Sequence, residues 1–464
     1  MVGILMSGRG IAVFGIALLG IVTVACGGGP APSNEPGPPP GLAIVGAQLI
    51  DGTGGAPVAD SVIVVRDGRI HAAGPRATTE VPLGAEVVDA AGKTVIPGLV
   101  DLHGHYGGPL SAAEQALKSQ LYYGVTTTRS IGSDDPEKVA LMLEANAGRP
   151  DLPRAFTAGR GFSFPGGFNA GTANTPTSAE EARELVREQA ALGVHFTKMW
   201  VNEVPNPGLK IPPEIRAAIV DESIKNGLIP VAHIDEEADG IQLLEAGLSD
   251  FLHSTVRTFG PGAGVPMDDP VPSPDFLQLC LENDCRFTPT LSISHNNWHF
   301  AEHPELLEDS ELRAVMNPAA LESFSDPDTR ASIVEASEFE DRKAAFRQVQ
   351  DFVKTLHDAG VKVALGTDSG TRNVPMGWGT HHELELYVEA GLTPMETLVA
   401  ATATGASVTP PVGEAEFGTL EAGKVADLVL LNSDPLVDIR NTLDIDQVML
   451  RGEWVDRAGL LPTP

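Results

Sequence analysis

Six residues with side chains suited to holding a metal ion or moving a proton each stand at the end of an apolar run. They are His103 and His105 in "VIPGLVDLHGH", Lys198 in "HFTKMW", His233 in "PVAHI", His253 in "DFLHS" and Asp368 in "LGTDSG". Imidazole nitrogen and carboxylate oxygen are ligands for ions of the zinc kind. Alternate residues of a strand share a face, so His103 and His105 can grip one ion together. Each residue taken alone has a plainer explanation. A histidine at a strand end usually hydrogen-bonds locally, a lysine among apolar neighbours reaches for solvent, and an aspartate caps a loop. Four histidines, a lysine and an aspartate at five strand ends form an ordered set that these separate explanations do not cover.

The elements that must position them follow from the periodicity. Eight apolar, β-branched runs recur: "TVIPGLVDLHGH", "GVTTTRSIG", "RAFTAGR", "HFTKMWV", "LIPVAHI", "SDFLHST", "RFTPTLSI" and "VKVALGTDSG". Between them lie segments such as "SAEEARELVREQAALG" and "PPEIRAAIVDESIKNG", with apolar residues at three- and four-residue steps, as in helices. Thr177 and Ser178 before Glu180 and Glu181 read as a helix start with acidic first-turn residues. Strands alternating with helices predict an α/β fold, a (β/α)8 TIM-type barrel over 98–412, whose strand ends converge on one mouth. The polar, Glu-rich stretch from Trp298 to about Arg347 reads as a helical insertion after the seventh strand. Both ends of the chain have period-two runs and Asp-Gly turns, which predicts a small composite β-sandwich from 42–97 and 413–464.

At the N-terminus, Arg9 precedes "IAVFGIALLGIVTVAC", an apolar stretch of signal-peptide length. Residues 1–25 resemble a bacterial lipoprotein signal, with Cys26 the lipidation site and the Pro/Gly-rich segment 26–41 an extended spacer. The expected location is exported and lipid-anchored, on the outer membrane facing the periplasm, with the lipid as the only membrane link. The chain has 62 acidic against 31 basic residues, a formal net charge of −31. That sign opposes phosphate binding and argues against nucleic acid as a partner. Cys280 and Cys285 either pair in an oxidising compartment or remain buried thiols.

The quoted runs, with "HELELYVEAGLTPMETLVAATATGA" and "GTLEAGKVADLVLLN", resemble the amidohydrolase superfamily, in its imidazolonepropionase-like and metal-dependent prolidase-like branch. The resemblance spans about Leu42 to Val455. It implies two divalent metal ions of the Zn²⁺ kind, one held by His103 and His105 and the other by His233 and His253. Lys198 matches a lysine that is carboxylated by CO2 and bridges both ions; Asp368 matches the metal-bound acid/base. The implied reaction is hydrolysis of an amide, peptide-like or cyclic amide C–N bond by a metal-bridging hydroxide, in a small-molecule substrate. Two alternatives stand beside it: a mononuclear deaminase or imidazolone-type hydrolase, and a non-catalytic lipid-anchored binding protein. Relatives of the mononuclear kind usually lack the fourth-strand lysine.

Four further residues are candidates for substrate contact. Tyr106 follows the ligand pair, and His381 matches a family histidine after the eighth strand. Arg129 either meets a substrate carboxylate or forms a structural ion pair. Phe168, in "FPGGFNAG", stands where dipeptide-cleaving relatives often carry the histidine of a Gly-Gly-His loop, which predicts a more apolar pocket. Ser130 follows Arg129 where the family often has Asp. His382, His295, His299, His303 and His357 are expected at the surface. Monomer and homo-oligomer are both compatible with the sequence.

Overall fold

The computed structural model describes residues 41–202, 208–256, 272–371 and 373–461. The signal-like segment, Cys26 and nearly all of the spacer lie outside them. Among the described residues no helix is long and apolar enough to cross a membrane.

Two sheets draw on the chain ends. One is antiparallel and parallel in mixture: Arg69–Pro75, Ser61–Arg66, Leu42–Val45 and Glu86–Asp89, in that order. Its hairpin pairs Arg66 with Arg69 across Asp67 and Gly68, whose φ values are +49° and +75°. Two consecutive positive φ angles are what a two-residue I′ turn requires, and Asp-Gly supplies them at low cost. The second sheet interleaves the ends: Glu453–Trp454, Ile445–Leu450 and Leu428–Leu431 pair onward to Thr94–Pro97 and Gln48–Leu49. One apolar cluster, including Ile44, Ile63, Val95, Leu428 and Met449, takes residues from both sheets.

The middle of the chain forms parallel sheets. One has Leu99–Gly104, Val125–Ser130 and Arg154–Thr157; the other has Phe196–Val201, Ile229–Ile234, Asp250–Leu252, Arg286–Thr288 and Lys362–Val363. All eight expected runs are therefore strands, though continuous ladder pairing divides them into three and five. Single parallel bridges join Phe162 to Met199 and Gly104 to Ser369, and Leu102 N donates to Leu365 O at 3.1 Å. A Cβ on Gly366 would lie 2.4 Å from Thr288 Cγ2 and 2.9 Å from His103 Cβ, so glycine is what lets the eighth run approach the first this closely. One apolar cluster takes Leu102, Ile131, Phe156, Phe196, Val231, Leu252 and Ala364, from seven of the eight runs or their ends.

Helices follow the strands as the periodicity predicts. Ala179–Ala191 begins at Ser178, whose side chain accepts from Glu181 N, and Pro213–Lys225 follows the fourth strand. The insertion is helical: His299–Glu302, Ser310–Val315, Pro318–Ser325 and Pro327–Val334 precede the long helix Phe339–Asp358. Cys280 and Cys285 are free thiols here, both buried.

Candidate active site

The six strand-end residues converge. His103 and His105 Nε2 lie 3.3 and 2.9 Å from Asp368 Oδ1. Ring centroids of His103 and His253 are 4.8 Å apart, and those of His253 and His233 4.1 Å. One ligand atom from each of His103, His253 and Asp368 falls within 4.8 Å of the others. Lys198 is fully buried, its Nζ 5.4 Å from the centroid of the Trp200 ring.

The polar atoms here are short of partners. Both nitrogens of His103, Asp368 Oδ1 and Lys198 Nζ are buried without a hydrogen-bond partner among the described residues. The His103 and His105 contacts to Asp368 are close yet lack hydrogen-bond geometry. Buried polar atoms are nearly always satisfied in proteins, so a cluster of orphans marks a place built for another group. Imidazole, carboxylate and a buried amine suit a divalent cation of the zinc type.

Burial drives the His103 and His253 imidazoles far below their usual range, assisted by the charges of His253 and Lys198 for His103 and of His233 and Lys198 for His253. Both are neutral, the form that ligates metal. Burial also brings the Lys198 ammonium down to about 7, against the opposing pull of Asp368. A neutral amine is therefore accessible near neutral pH.

Three residues at the same place have left-handed backbone. Asp368, His253 and Thr290 have φ of +62°, +68° and +56°. Non-glycine residues in this region each cost about 1–3 kcal/mol and persist where their surroundings impose them. Thr290 Oγ1 bonds His253 Nδ1 at 2.7 Å, Ser133 Oγ bonds His105 Nδ1 at 3.1 Å, and Asp235 Oδ1 bonds His233 Nε2 at 3.0 Å. These bonds orient the rings and fix tautomers, the role such outer partners play around metals.

Asp101 and Asp235 were not singled out by the sequence. Asp101 is buried and accepts from His103 N and Thr367 N, both at 3.1 Å, from Thr367 Oγ1 at 2.8 Å and from Gln120 Nε2 at 3.1 Å. It ties the first run to the eighth directly below His103 and Asp368. Its period-two position in "DLHGH" and that of Asp235 in "HID" were the available signals. Carboxylates beside the ligand-type residues are thus supplied by Asp101 and Asp235, although Ser130 stands where the family often has Asp.

Three of the candidates for substrate contact are engaged within the protein, Arg129 in the second of its two expected roles. Arg129 is fully buried: Nη1 meets Asp250 Oδ2 at 3.0 Å and Nε meets Leu102 O at 2.7 Å, so it is a structural ion pair linking strands. Tyr106 is fully buried, its hydroxyl 2.6 Å from Thr128 Oγ1. His381 is fully buried with Nδ1 on Thr442 Oγ1 and Nε2 on Tyr123 O, both at 2.9 Å, leaving neither nitrogen for a substrate. Phe168 stands at the site, 6.1 Å from the His233 ring and 6.3 Å from that of Trp200. His382 is buried, and His295 and His299 are half-buried rather than on the surface, whereas His303 is exposed. A cleft of about 270 Å³ opens beside His105 at Ser133 and is lined by Asp134, Lys138 and Arg160. A much narrower crevice touches His233 and His253 themselves. The crevice, and not the cleft, is lined by two of the converging histidines.

Residues 94–455 match the family model described as the amidohydrolase family. Imidazolonepropionase from Mycolicibacterium smegmatis is 27% identical over 390 residues, covering 81% of this chain and 85% of that protein. Ochratoxinase from Aspergillus niger is 24% identical over 449 residues, covering 86% and 83%. The crystal structure of a protein provisionally named a prolidase, from Bifidobacterium longum, superposes with a TM-score of 0.71 at 28% identity, covering 91% of this chain and 96% of the other. The chain belongs to the amidohydrolase family, in its imidazolonepropionase-like and prolidase-like branch, and is a hydrolase.

Proposed function

We propose that this protein is a metal-dependent amidohydrolase that cleaves a C–N bond, amide, peptide-like or cyclic amide, in a small molecule. The observation that carries the reading is the convergence of six ligand-type residues from five strand ends, with Lys198 Nζ, Asp368 Oδ1 and both His103 nitrogens left without partners. His103, His105, His233, His253 and Asp368 would hold two divalent ions, Zn²⁺ by the nature of the donors, with a carboxylated Lys198 between them. When bound, such ions polarise a carbonyl and make water acidic enough to attack near neutral pH.

The chain's own residues do the rest. Lys198 in its neutral form adds through nitrogen to CO2, loses a proton, and becomes a carbamate anion in place of a buried ammonium. Asp368 accepts the proton of the attacking water and delivers it to the leaving nitrogen. Thr290, Ser133 and Asp235 hold the imidazoles in place, and the strained backbone at His253 and Asp368 keeps both side chains in position before substrate arrives. Phe168 forms an apolar wall, which favours an apolar group beside the scissile bond.

The same reading includes closure of the eight parallel strands into a (β/α)8 barrel over 98–412. The cluster shared by seven runs and the Arg129 bonds to three separate strands support closure. The chain-end sheets with their common apolar cluster support a sandwich of 42–97 and 413–464. Anchoring through lipid on Cys26, outward of the cytoplasm, rests on the N-terminal sequence. It predicts that Cys26→Ser shifts the protein from the membrane fraction to the soluble fraction.

The imidazolonepropionase relatives favour a second reading, in which a single ion serves the opening of a cyclic amide. Lys198 separates the two, since a one-ion centre has no use for a bridging carbamate. The test is a screen of dipeptides, N-acyl amino acids and lactams with the zinc- and bicarbonate-grown protein. Turnover that Asp368→Asn abolishes while bound metal is retained supports hydrolysis by this centre; turnover unaffected by Asp368→Asn contradicts it.

A further inference from the structure

A second group of imidazoles lies behind the site, where the helical insertion packs on the helix Trp378–Glu389. His295 ends the short helix Leu291–His295, His299 begins His299–Glu302, and His382 lies in the first turns of Trp378–Glu389. One nitrogen from each of the three falls within 4.8 Å of the others. His295 Nδ1 is 3.0 Å from His382 Nε2, and the His299 ring stacks on that of His382 with centroids 4.2 Å apart.

Two observations distinguish this group from aromatic filler. His299 Nδ1 and His382 Nδ1 are buried with no hydrogen-bond partner among the described residues. An apolar seam walled by Trp298, Phe346 and Trp378 would be filled without such orphans by phenylalanine or leucine. Second, burial with the charges of His303 and Lys343 brings His295 down to about 4, and burial with those of His295 and His303 brings His299 to about 3, so both rings are neutral near pH 7. Two nitrogens on one tetrahedral zinc ion, each at about 2.0–2.1 Å, stand about 3.3 Å apart. The spacing here runs from 3.0 up to at most 4.8 Å and brackets that value, and ligation requires the stacked His299 and His382 rings to turn toward one ion.

We propose that His295, His299 and His382 form a separate three-imidazole site for a borderline divalent transition-metal ion, Zn²⁺ or a neighbour in the series. Its position assigns it a structural task. Glu383, next to His382, accepts from Leu291 N and Ser292 N, both at 2.7 Å, at the start of the helix that follows Thr290. Thr290 in turn orients His253. An ion on the three imidazoles pins the insertion to the layer that supports the catalytic centre, without touching that centre.

The test compares the 41–464 chain with its His299→Ala variant, both saturated with Zn²⁺ and freed of excess. The proposal expects about one equivalent per chain less zinc in the variant, with turnover retained. In a Lys198→Ala/His233→Ala background that weakens the main centre, added Zn²⁺ should still raise the thermal midpoint by about 3 °C or more. That rise should shrink when His299→Ala is added, what remains being zinc held by the weakened main centre. If His299→Ala fails to fold, His295→Gln serves the same comparison. Equal zinc content in parent and variant, or a midpoint rise undiminished by the loss of His299, overturns the site and leaves three packed neutral imidazoles. Neither result depends on the activity of the main centre.

Discussion

Arg129 offers a quantitative test of the account of the interior between the parallel strands. Its guanidinium is fully buried and donates to Leu102 O at 2.7 Å, to Asp250 Oδ2 at 3.0 Å and to Thr288 Oγ1 at 3.4 Å, with Phe196 beneath it at 5.0 Å. Replacing Arg129 with Met keeps the volume roughly constant but strands the Asp250 carboxylate, itself buried, without its counter-charge. Breaking such a pair by removing one partner costs about 3–5 kcal/mol, mostly the penalty of the uncompensated charge. Removing both charges in Arg129→Met/Asp250→Leu relieves that penalty, so the double variant should recover much of the loss and the two substitutions should be strongly non-additive. Urea denaturation followed by circular dichroism reads the difference as a shift in midpoint. A single Arg129→Met within about 0.5 kcal/mol of the parent, the size of an ordinary surface change, would refute the structural role. It would return Arg129 to the candidates for substrate binding.

Other expectations follow from the same contacts. Asp101→Ala removes the acceptor for His103 N, Thr367 N and Thr367 Oγ1. It should cost about 2–4 kcal/mol through several unsatisfied donors and weaken metal binding, read by chelator competition. Phe168→Ala should raise KM more than it lowers kcat for an apolar substrate, because the ring lines the site without touching the proton path. Burial raises the Glu385 carboxyl from 4.5 to about 7, with Arg440 opposing. A raised folded-state value means that the protonated form is favoured on folding, so this stability is present below about pH 4.5 and is lost as pH rises through 7. The shift corresponds to about 3 kcal/mol at most, and the half-exposed position reduces this to about 1–2 kcal/mol. Glu385→Gln should therefore raise the thermal midpoint at pH 8 and leave it nearly unchanged at pH 4.5; an equal gain at both pH values would contradict the cause.

The metal-ligand candidates were legible because their position is local information. A strand end is marked by the break in an apolar run, and a histidine there stands out. The eight strands and the Asp67-Gly68 hairpin were legible for the same reason. What the sequence hid depends on partners far away in the chain. Arg129 is structural because Asp250 stands 121 residues later, and His381 is occupied by Thr442. His382 is buried because the insertion covers a helix whose pattern, read alone, leaves that residue facing solvent. Asp101 escaped notice because an aspartate in an apolar strand has no fixed meaning until Thr367 and Gln120 are seen beside it. The ladder breaks that divide the parallel strands into three and five also carry no sequence mark; single bridges, Gly104 to Ser369 and Phe162 to Met199, stand across them.

The most direct measurement of the central claim is elemental analysis of the 41–464 chain grown with zinc and bicarbonate, in the His299→Ala form so that only the strand-end centre is counted. The account predicts about two ions per chain, falling when Lys198 is also changed to Ala. One ion that survives Lys198→Ala would contradict the carbamate-bridged pair, and no ion at all would contradict the metal-dependent centre.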